Sequence, residues 1–218
     1  MKKLHAFTLA EVLITLGIIG VVAAMTLPTL IQNHQKQVYA TQLKKSINVL
    51  GNMLNQMKAD EGVPELDQTE LLGNALCRSG ESICEGNPYA DYSKIEETIA
   101  KYLKTVKICK RGTCNISYKQ GKYTIKGENG ITSCGYNLPI IQTDSLGFYS
   151  VDGAIYYINA FEYHTLRIFI DVNGEKGPNT AGRDLFTVML DPSVGVVPSI
   201  YGEVCSKHLL ENNFTMDY

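Results

Sequence analysis

A short segment rich in Asp, Asn and Gly, residues 171–179, carries the side chains best suited to hold a metal ion. Asp171 and Asn173 have the spacing of the first two ligands in a calcium-binding loop. The twelfth position of such a loop normally holds Glu, whereas this chain has Gly182 there. An ordinary loop is the alternative, because Asn and Asp tolerate unusual backbone angles. The pattern therefore permits a calcium site but favours an ordinary loop.

Six cysteines are the other side chains with distinctive chemistry, and all of them follow residue 76. An even number of cysteines on the exported side of a membrane favours disulfides, although sequence alone does not choose the pairs. Closeness along the chain suggests three pairs, which are Cys77 with Cys84, Cys109 with Cys114, and Cys134 with Cys205. A zinc site is a poorer explanation, because two close Cys-x-x-Cys pairs do not occur. Free thiols in a reducing compartment are the remaining alternative.

Sequence patterns of catalysis and of general nucleic-acid binding do not occur. The four histidines are scattered, and no zinc-protease, nucleophile-elbow or P-loop spacing is found. The 218 residues include 20 Lys and Arg and 22 Asp and Glu, which gives a net charge of −2. Nucleic-acid binders normally need a basic excess. We therefore expect neither an enzyme nor a general nucleic-acid binder, and no cofactor apart from the calcium ion considered above.

The apolar residues are concentrated at the N-terminus, where the run from Val12 to Ile31 contains no charged side chain. A helix of that length can cross a hydrocarbon layer about 30 Å thick. Lys2 and Lys3 favour a cytoplasmic N-terminus, although further lysines beyond the run weaken the charge bias. A signal peptide cut near Ala24, or a plain membrane anchor, would give the same pattern. A buried core helix is less suitable, because the run has no polar face.

Glu11 fits none of these simple explanations, because it stands where the apolar run begins. A carboxylate inside an apolar helix costs several kcal/mol unless it is paired or neutralised. Cleavage before Phe7 would create a partner, since the new α-amine would lie four residues away or opposite the Glu11 of a neighbouring copy. Such pairing requires helices that pack side by side. The sequence therefore favours a helix built for assembly with other helices.

Residues 1–31 resemble the leader and transmembrane segment of type IV prepilins and pseudopilins. The shared pattern is a short basic leader, a small residue, Phe-Thr-Leu-x-Glu and a long apolar run. In this chain Ala6 stands where the family usually has Gly. The resemblance implies cleavage between Ala6 and Phe7, N-methylation of Phe7, assembly through Glu11 and a helix kink at Pro28.

The resemblance also implies the partners and the location of the protein. The partners would be a prepilin peptidase, other copies or related pilins in a filament, an inner-membrane assembly platform, and the lipid bilayer before assembly. The chain would cross the inner membrane once with its N-terminus cytoplasmic, and would then enter a periplasmic or extracellular filament. Nucleic acid would be a partner only of a DNA-uptake pilus. Some secretion pseudopilins bind calcium in a C-terminal loop, which would add Asp184 to Asp171 and Asn173.

The elements after the apolar run predict an α+β fold. Residues 32–60 continue the helix with an amphipathic pattern, whose apolar face is Leu43, Ile47, Leu50, Leu54 and Met57. We expect short helices at 67–76 and 92–102. Strands are predicted at 116–119, 122–126, 154–161, 165–172, 184–190 and 194–201, with the first two forming a hairpin. Strands that follow one another without helices indicate an antiparallel sheet, with the long helix packed on it.

These patterns predict four segments: a leader at 1–6, an assembly helix at 7–31, its amphipathic continuation at 32–60, and a globular head at 61–218. They favour a structural subunit of a filament, without separating a type IV pilin from a type II secretion pseudopilin. The alternative is an exported or membrane-anchored binding module with an ordinary signal or anchor helix. That alternative would make Glu11 incidental, and the position of cleavage would distinguish the two.

Overall fold

A single long helix, α1 (Leu9–Glu61), dominates the N-terminal part of the computed structural model. The structure describes residues 8–74, 92–114, 118–119, 124–127, 130–133, 145–161, 165–177, 179–199 and 204–218. Helix α1 continues through Pro28 without interruption. It ends where Gly62 adopts a left-handed φ of 66° and the amide of Val63 donates to the carbonyl of Lys58 at 3.1 Å. That bond is typical of a glycine-terminated helix, and the predicted end of the helix is confirmed.

The chain divides into two compact units, residues 1–38 and residues 39–218. Within the second unit, one face of α1 is buried, as the amphipathic pattern predicts. Its buried residues are Ala40, Leu43, Ser46, Leu50, Met53, Leu54 and Met57. Ile47 is only partly buried. This face packs against one side of the sheet, so the α+β prediction is confirmed.

The sheet has six antiparallel strands in the order β1-β4-β5-β6-β7-β8. Their bounds are β1 Thr105–Cys109, β4 Leu146–Ser150, β5 Ile155–Phe161, β6 Thr165–Asp171, β7 Leu185–Asp191 and β8 Gly195–Pro198. Strands β4 to β8 follow the chain order, so each pairs with its neighbour in sequence. The central strands are rich in Ile, Tyr, Phe and Val and are buried along nearly their whole described length.

A separate hairpin consists of β2 (Thr124–Gly127) and β3 (Gly130–Ser133). β2 therefore pairs with the strand that follows it, whereas residues 115–117 and 120–123, on which the predicted hairpin of 116–119 with 122–126 depends, lie outside the described residues. Lys119 instead forms an isolated parallel bridge with Thr180.

Shorter elements complete the described chain. Helix α2 (Tyr92–Tyr102) confirms one predicted helix. The predicted helix at 67–76 is instead a 3₁₀ turn, Leu66–Gln68, followed by a π-helical turn, Glu70–Asn74. Helix α3 (Val204–Glu211) was not predicted from the sequence.

Candidate functional site

The first part of α1 presents an apolar surface. Its exposed large side chains are Leu9, Val12, Leu13, Ile14, Leu16, Ile18, Ile19, Val21, Val22, Met25, Leu27, Leu30 and Ile31. The helix is long and apolar enough to cross a membrane, and its most apolar window is wholly unburied. A core helix of a soluble protein would bury that window, so this part of α1 is a candidate membrane anchor.

Thr8 and Glu11 close the start of α1 with a reciprocal set of hydrogen bonds. The backbone N–H and the hydroxyl of Thr8 each donate to Oε2 of Glu11 at 2.8 Å. The backbone N–H of Glu11 donates to the hydroxyl of Thr8 at 3.3 Å. This arrangement is a capping box, in which a Thr before the helix and a Glu three residues later satisfy backbone donors that the helix leaves free. Sequence reasoning missed this role, although the spacing Thr-x-x-Glu is the sequence pattern of a capping box.

The capping box gives Glu11 a structural role within its own chain, in addition to the pairing between chains that the sequence suggests. A carboxylate in the first turn also interacts favourably with the positive end of the helix dipole. The side chain therefore has a role within its own chain that needs only an oxygen acceptor. Pairing with an amine on another subunit would need the negative charge as well, so an amide substitution can separate the two roles.

The predicted cleavage residues Ala6 and Phe7 lie outside the described residues. Pro28 lies within α1, where the helix continues on both sides of it. The kink at Pro28 remains a prediction.

The structure joins Cys109 and Cys114 in a disulfide, with their Cα atoms 5.3 Å apart. This is one of the pairs suggested by closeness along the chain. The bond lies against Gly147 of β4, where an added Cβ would collide with Sγ of Cys109. A glycine at this position lets the disulfide approach the sheet.

Cys205 is also disulfide-bonded, and its partner lies outside the described residues. Cys77, Cys84 and Cys134 lie there too, so the other two suggested pairs remain predictions. No cysteine that the structure describes is a free thiol.

The three residues considered for calcium lie at one end of β6 and β7. Asp171 is the last residue of β6, and Asp184 directly precedes β7. Nδ2 of Asn173 donates to Oδ2 of Asp184 at 3.1 Å. Both aspartates are fully buried. The described residues hold no group of three or more His, Cys, Asp or Glu side chains able to bind a metal, so any site here must also use amide or backbone oxygens.

Comparison with known proteins gives one match. Residues 1–27 match the family model described as the prokaryotic N-terminal methylation motif. This motif is the signature of type IV pilins and pseudopilins, which are structural subunits, and it confirms the resemblance of the N-terminal segment. The matched range contains Ala6, Phe7 and Glu11 and ends just before Pro28. No curated protein and no solved structure matches the chain.

Proposed function

We propose that the chain is a structural subunit of a type IV pilus-like filament and is made as a prepilin. The observation that carries this proposal is the methylation motif at residues 1–27, which leads directly into an apolar helix with an exposed surface. Water does not favour so large an apolar surface, whereas a bilayer or a set of neighbouring apolar helices would cover it. A subunit that moves from a membrane into a filament uses both environments in turn.

Processing would prepare the helix for assembly. A prepilin peptidase would cut between Ala6 and Phe7 and N-methylate the new terminus, leaving Thr8 as the cap of α1. The amine at Phe7 would then pair with Glu11 of a neighbouring copy or a related pilin. A charge pair inside packed helices is favourable only when both partners are present, so this pairing would also set the register between subunits.

We assign each proposed step, from cleavage to assembly, to one segment of the chain. Residues 1–6 would be the leader, residues 7–31 the membrane and assembly helix, residues 32–60 its amphipathic continuation, and residues 61–218 the head. The subunit would wait in the inner membrane with its N-terminus cytoplasmic, and an assembly platform in that membrane would move it into a periplasmic or extracellular filament. We propose no catalytic activity, because the role of such a subunit is structural.

The deciding experiment is mass spectrometry of the N-terminal peptide of the protein purified from its native cell envelope. We expect an N-methylated Phe7 terminus in cells that have their prepilin peptidase and an intact Met1 terminus in cells that lack it. An ordinary signal peptide would give a terminus near Met25 in both strains, and a plain anchor would give an uncut chain in both. Either of those results would overturn the proposal.

The filament system can be identified by where the processed subunit is found. A long surface pilus releases its subunits into the medium when the cells are sheared, whereas a secretion pseudopilus retains them in the envelope. Immunodetection of this chain in the sheared fraction and in the envelope fraction therefore separates a type IV pilin from a type II secretion pseudopilin.

A further inference from the structure

Two exposed valines lie at one corner of the six-stranded sheet. Among the described residues of the second unit, the exposed large apolar side chains are Val106 at 72%, Val151 at 62% and Val194 at 73%. Val106 belongs to β1, and the amide of Val151 donates to the carbonyl of Lys104, directly before that strand, at 3.1 Å. Val194 lies in the turn between β7 and β8, at the other end of the sheet. The first two valines therefore share one corner, and the third does not.

Val106 is an extra residue in β1, at a point where the pairing with β4 shifts its register. The paired residues on either side of it are Thr105 with Ser150 and Lys107 with Tyr149. Such a β-bulge bends an edge strand and turns a side chain out of the regular alternation. Val106 and Lys107 are accordingly exposed one after the other. The bulge thus presents an apolar side chain away from the core at this corner.

Lysines surround the two valines. Lys104 and Lys107 stand on either side of Val106 in the chain, and both are exposed. Lys45 of α1 lies 3.2 Å from the carboxylate of Asp152, which follows directly after Val151 in the turn between β4 and β5. The side chain of Lys45 is 60% exposed, so its charge is accessible at the surface of the corner.

The loop between β6 and β7 adds a further lysine. This loop lies against the turn after β4, because a Cβ on Gly174 would collide with the carbonyl oxygen of Gly153. Lys176, two residues farther along, is exposed. The exposed carboxylates at the corner are those of Asp152 and Glu175. Four lysines therefore outnumber two exposed carboxylates, and the surface of the corner carries a net positive charge.

The chain itself brings this corner close to the apolar part of α1. The hydroxyl of Tyr39, the first residue of the second unit, accepts a hydrogen bond from Nδ2 of Asn173 at 3.5 Å, so the second unit begins at this end of the sheet. Tyr39 follows Ile31, the last residue of the apolar run, by eight residues. Eight residues span at most about 29 Å even when fully extended. A bilayer that holds the apolar run is therefore within reach of the corner.

We infer that this corner docks on the anionic phospholipid headgroups of the membrane that holds the subunit before assembly. The docking surface, which we call the basic corner, consists of Lys45, Lys104, Val106, Lys107, Val151 and Lys176. The inference rests on the membrane anchoring in the proposed function. Ammonium groups are attracted to anionic headgroups, and exposed apolar side chains enter the boundary between headgroups and acyl chains.

The lysines and the valines suit the same surface. A lysine can lay its apolar stem along the lipid boundary while its charged end stays in water. Two copies of the chain would not pair through this corner, because their equal charges would repel each other. The contact with lipid would be given up when the subunit leaves the bilayer for a filament, so it belongs to the waiting subunit alone.

Tryptophan fluorescence tests the inference, because the chain has no Trp of its own. The full chain carrying Val151→Trp is reconstituted into vesicles of phosphatidylcholine with brominated acyl chains, with or without phosphatidylglycerol. Bromine quenches a Trp that contacts the acyl chains. We expect strong quenching and a blue shift with phosphatidylglycerol, and much weaker quenching without it or at high salt. The matched control is Val194→Trp, which should stay unquenched in both kinds of vesicle.

Two lysine substitutions test the contribution of charge. Adding Lys104→Gln and Lys176→Gln to the Val151→Trp chain should lower the ratio of docked to undocked heads by about fivefold per lysine, or roughly 25-fold in all. The matched control adds Lys58→Gln in the last turn of α1 and Lys207→Gln on α3. This control removes the same charge from other places and should leave the quenching unchanged.

A reporter in the apolar run separates this inference from the proposed function. Leu30→Trp should be quenched in both kinds of vesicle, since it reports anchoring alone. Quenching there without quenching of Val151→Trp would overturn the inference and leave the proposed function intact. The absence of quenching at Leu30→Trp would overturn the anchoring and the inference together.

Two further results would also overturn the inference. Equal quenching of Val151→Trp and Val194→Trp would mean that the introduced Trp enters the membrane surface by its own affinity. A blue shift of Val151→Trp without quenching by bromine would mean that the corner packs on protein instead of lipid.

Discussion

Glu11 caps α1 through an oxygen atom, whereas the proposed contact between subunits depends on its negative charge. Gln can replace Glu in a capping box, because its side-chain carbonyl also accepts hydrogen bonds. Gln has no charge to offer an amine on another chain. Substitution of Glu11 by Gln and by Ala therefore separates the two roles.

We predict that Glu11→Gln and Glu11→Ala will both be cleaved and methylated normally and will both enter filaments poorly. Glu11→Ala should in addition weaken the start of the helix by about 0.5–1 kcal/mol, as loss of a cap usually does. The measurements are N-terminal mass spectrometry for processing and quantification of the variant in isolated filaments. Normal incorporation of Glu11→Gln would refute the charge pairing, and a defect confined to Glu11→Ala would assign the role of Glu11 to capping alone.

Individual residues show where sequence reasoning reached its limit. The Thr8–Glu11 cap lies within four residues and could have been predicted from its spacing. The closeness of Asp171 and Asp184 depends on the register of β6 and β7, which the sequence does not state. Their burial depends on the second core cluster that covers the far face of the sheet.

Helix α1 consists of two parts that differ in what their apolar side chains contact. Leu50 is fully buried in the core of the second unit, whereas Leu30 is 66% exposed. The two leucines have the same chemistry, so a comparison between them isolates the effect of burial.

We predict that Leu50→Ala will lower the free energy of unfolding of the second unit by about 2–5 kcal/mol, because it leaves a cavity in the core. Leu30→Ala should change that free energy by less than about 0.5 kcal/mol. Its effect should instead appear as weaker incorporation into filaments. Urea unfolding of the full chain in detergent, followed by near-ultraviolet circular dichroism, measures the first quantity. Equal destabilisation by both variants would contradict this division of α1.

The accuracy of the predicted elements followed the strength of their local pattern. Strands β5, β6 and β7 are long and apolar, and the prediction placed each within one residue at either end. Strands β1 and β4 were not predicted, since β1 carries Lys107 and β4 contains Gly147, which weaken a strand pattern. Tertiary pairing with β5 stabilises β4 despite its glycine.

The second unit is held together by contacts between distant parts of the chain. Lys45 of α1 lies 3.2 Å from the carboxylate of Asp152, in the turn between β4 and β5. Burial acts to raise the pKa of Asp152, but the hydrogen bonds from Ser150, Lys45 and the amide of Ala154 outweigh it, so the pKa lies below its usual value. A carboxyl with a lowered pKa stabilises the fold above its ordinary pKa, and the stabilisation is lost as the pH falls through the lowered value.

We predict that Asp152→Asn will destabilise the second unit by about 0.5–1 kcal/mol at pH 7, since Lys45 is largely exposed and the pair is partly screened. The difference between the two chains should shrink as the pH falls through the lowered pKa of Asp152, because the carboxyl of the unaltered chain then becomes protonated. Urea midpoints across the acidic range test this, with Glu175→Gln as the control because the side chain of Glu175 is 73% exposed. A difference that persists unchanged at low pH would show that the side chain acts by shape rather than by charge.

The capping box has a consequence for the thermodynamics of assembly. In the single chain, the carboxylate of Glu11 already accepts two hydrogen bonds from Thr8, so it is hydrogen-bonded before any assembly. Both of these hydrogen bonds use Oε2, so an amine on another chain that bound Oε1 would leave the cap intact. The proposed pairing would then add to the contacts within the chain instead of replacing them.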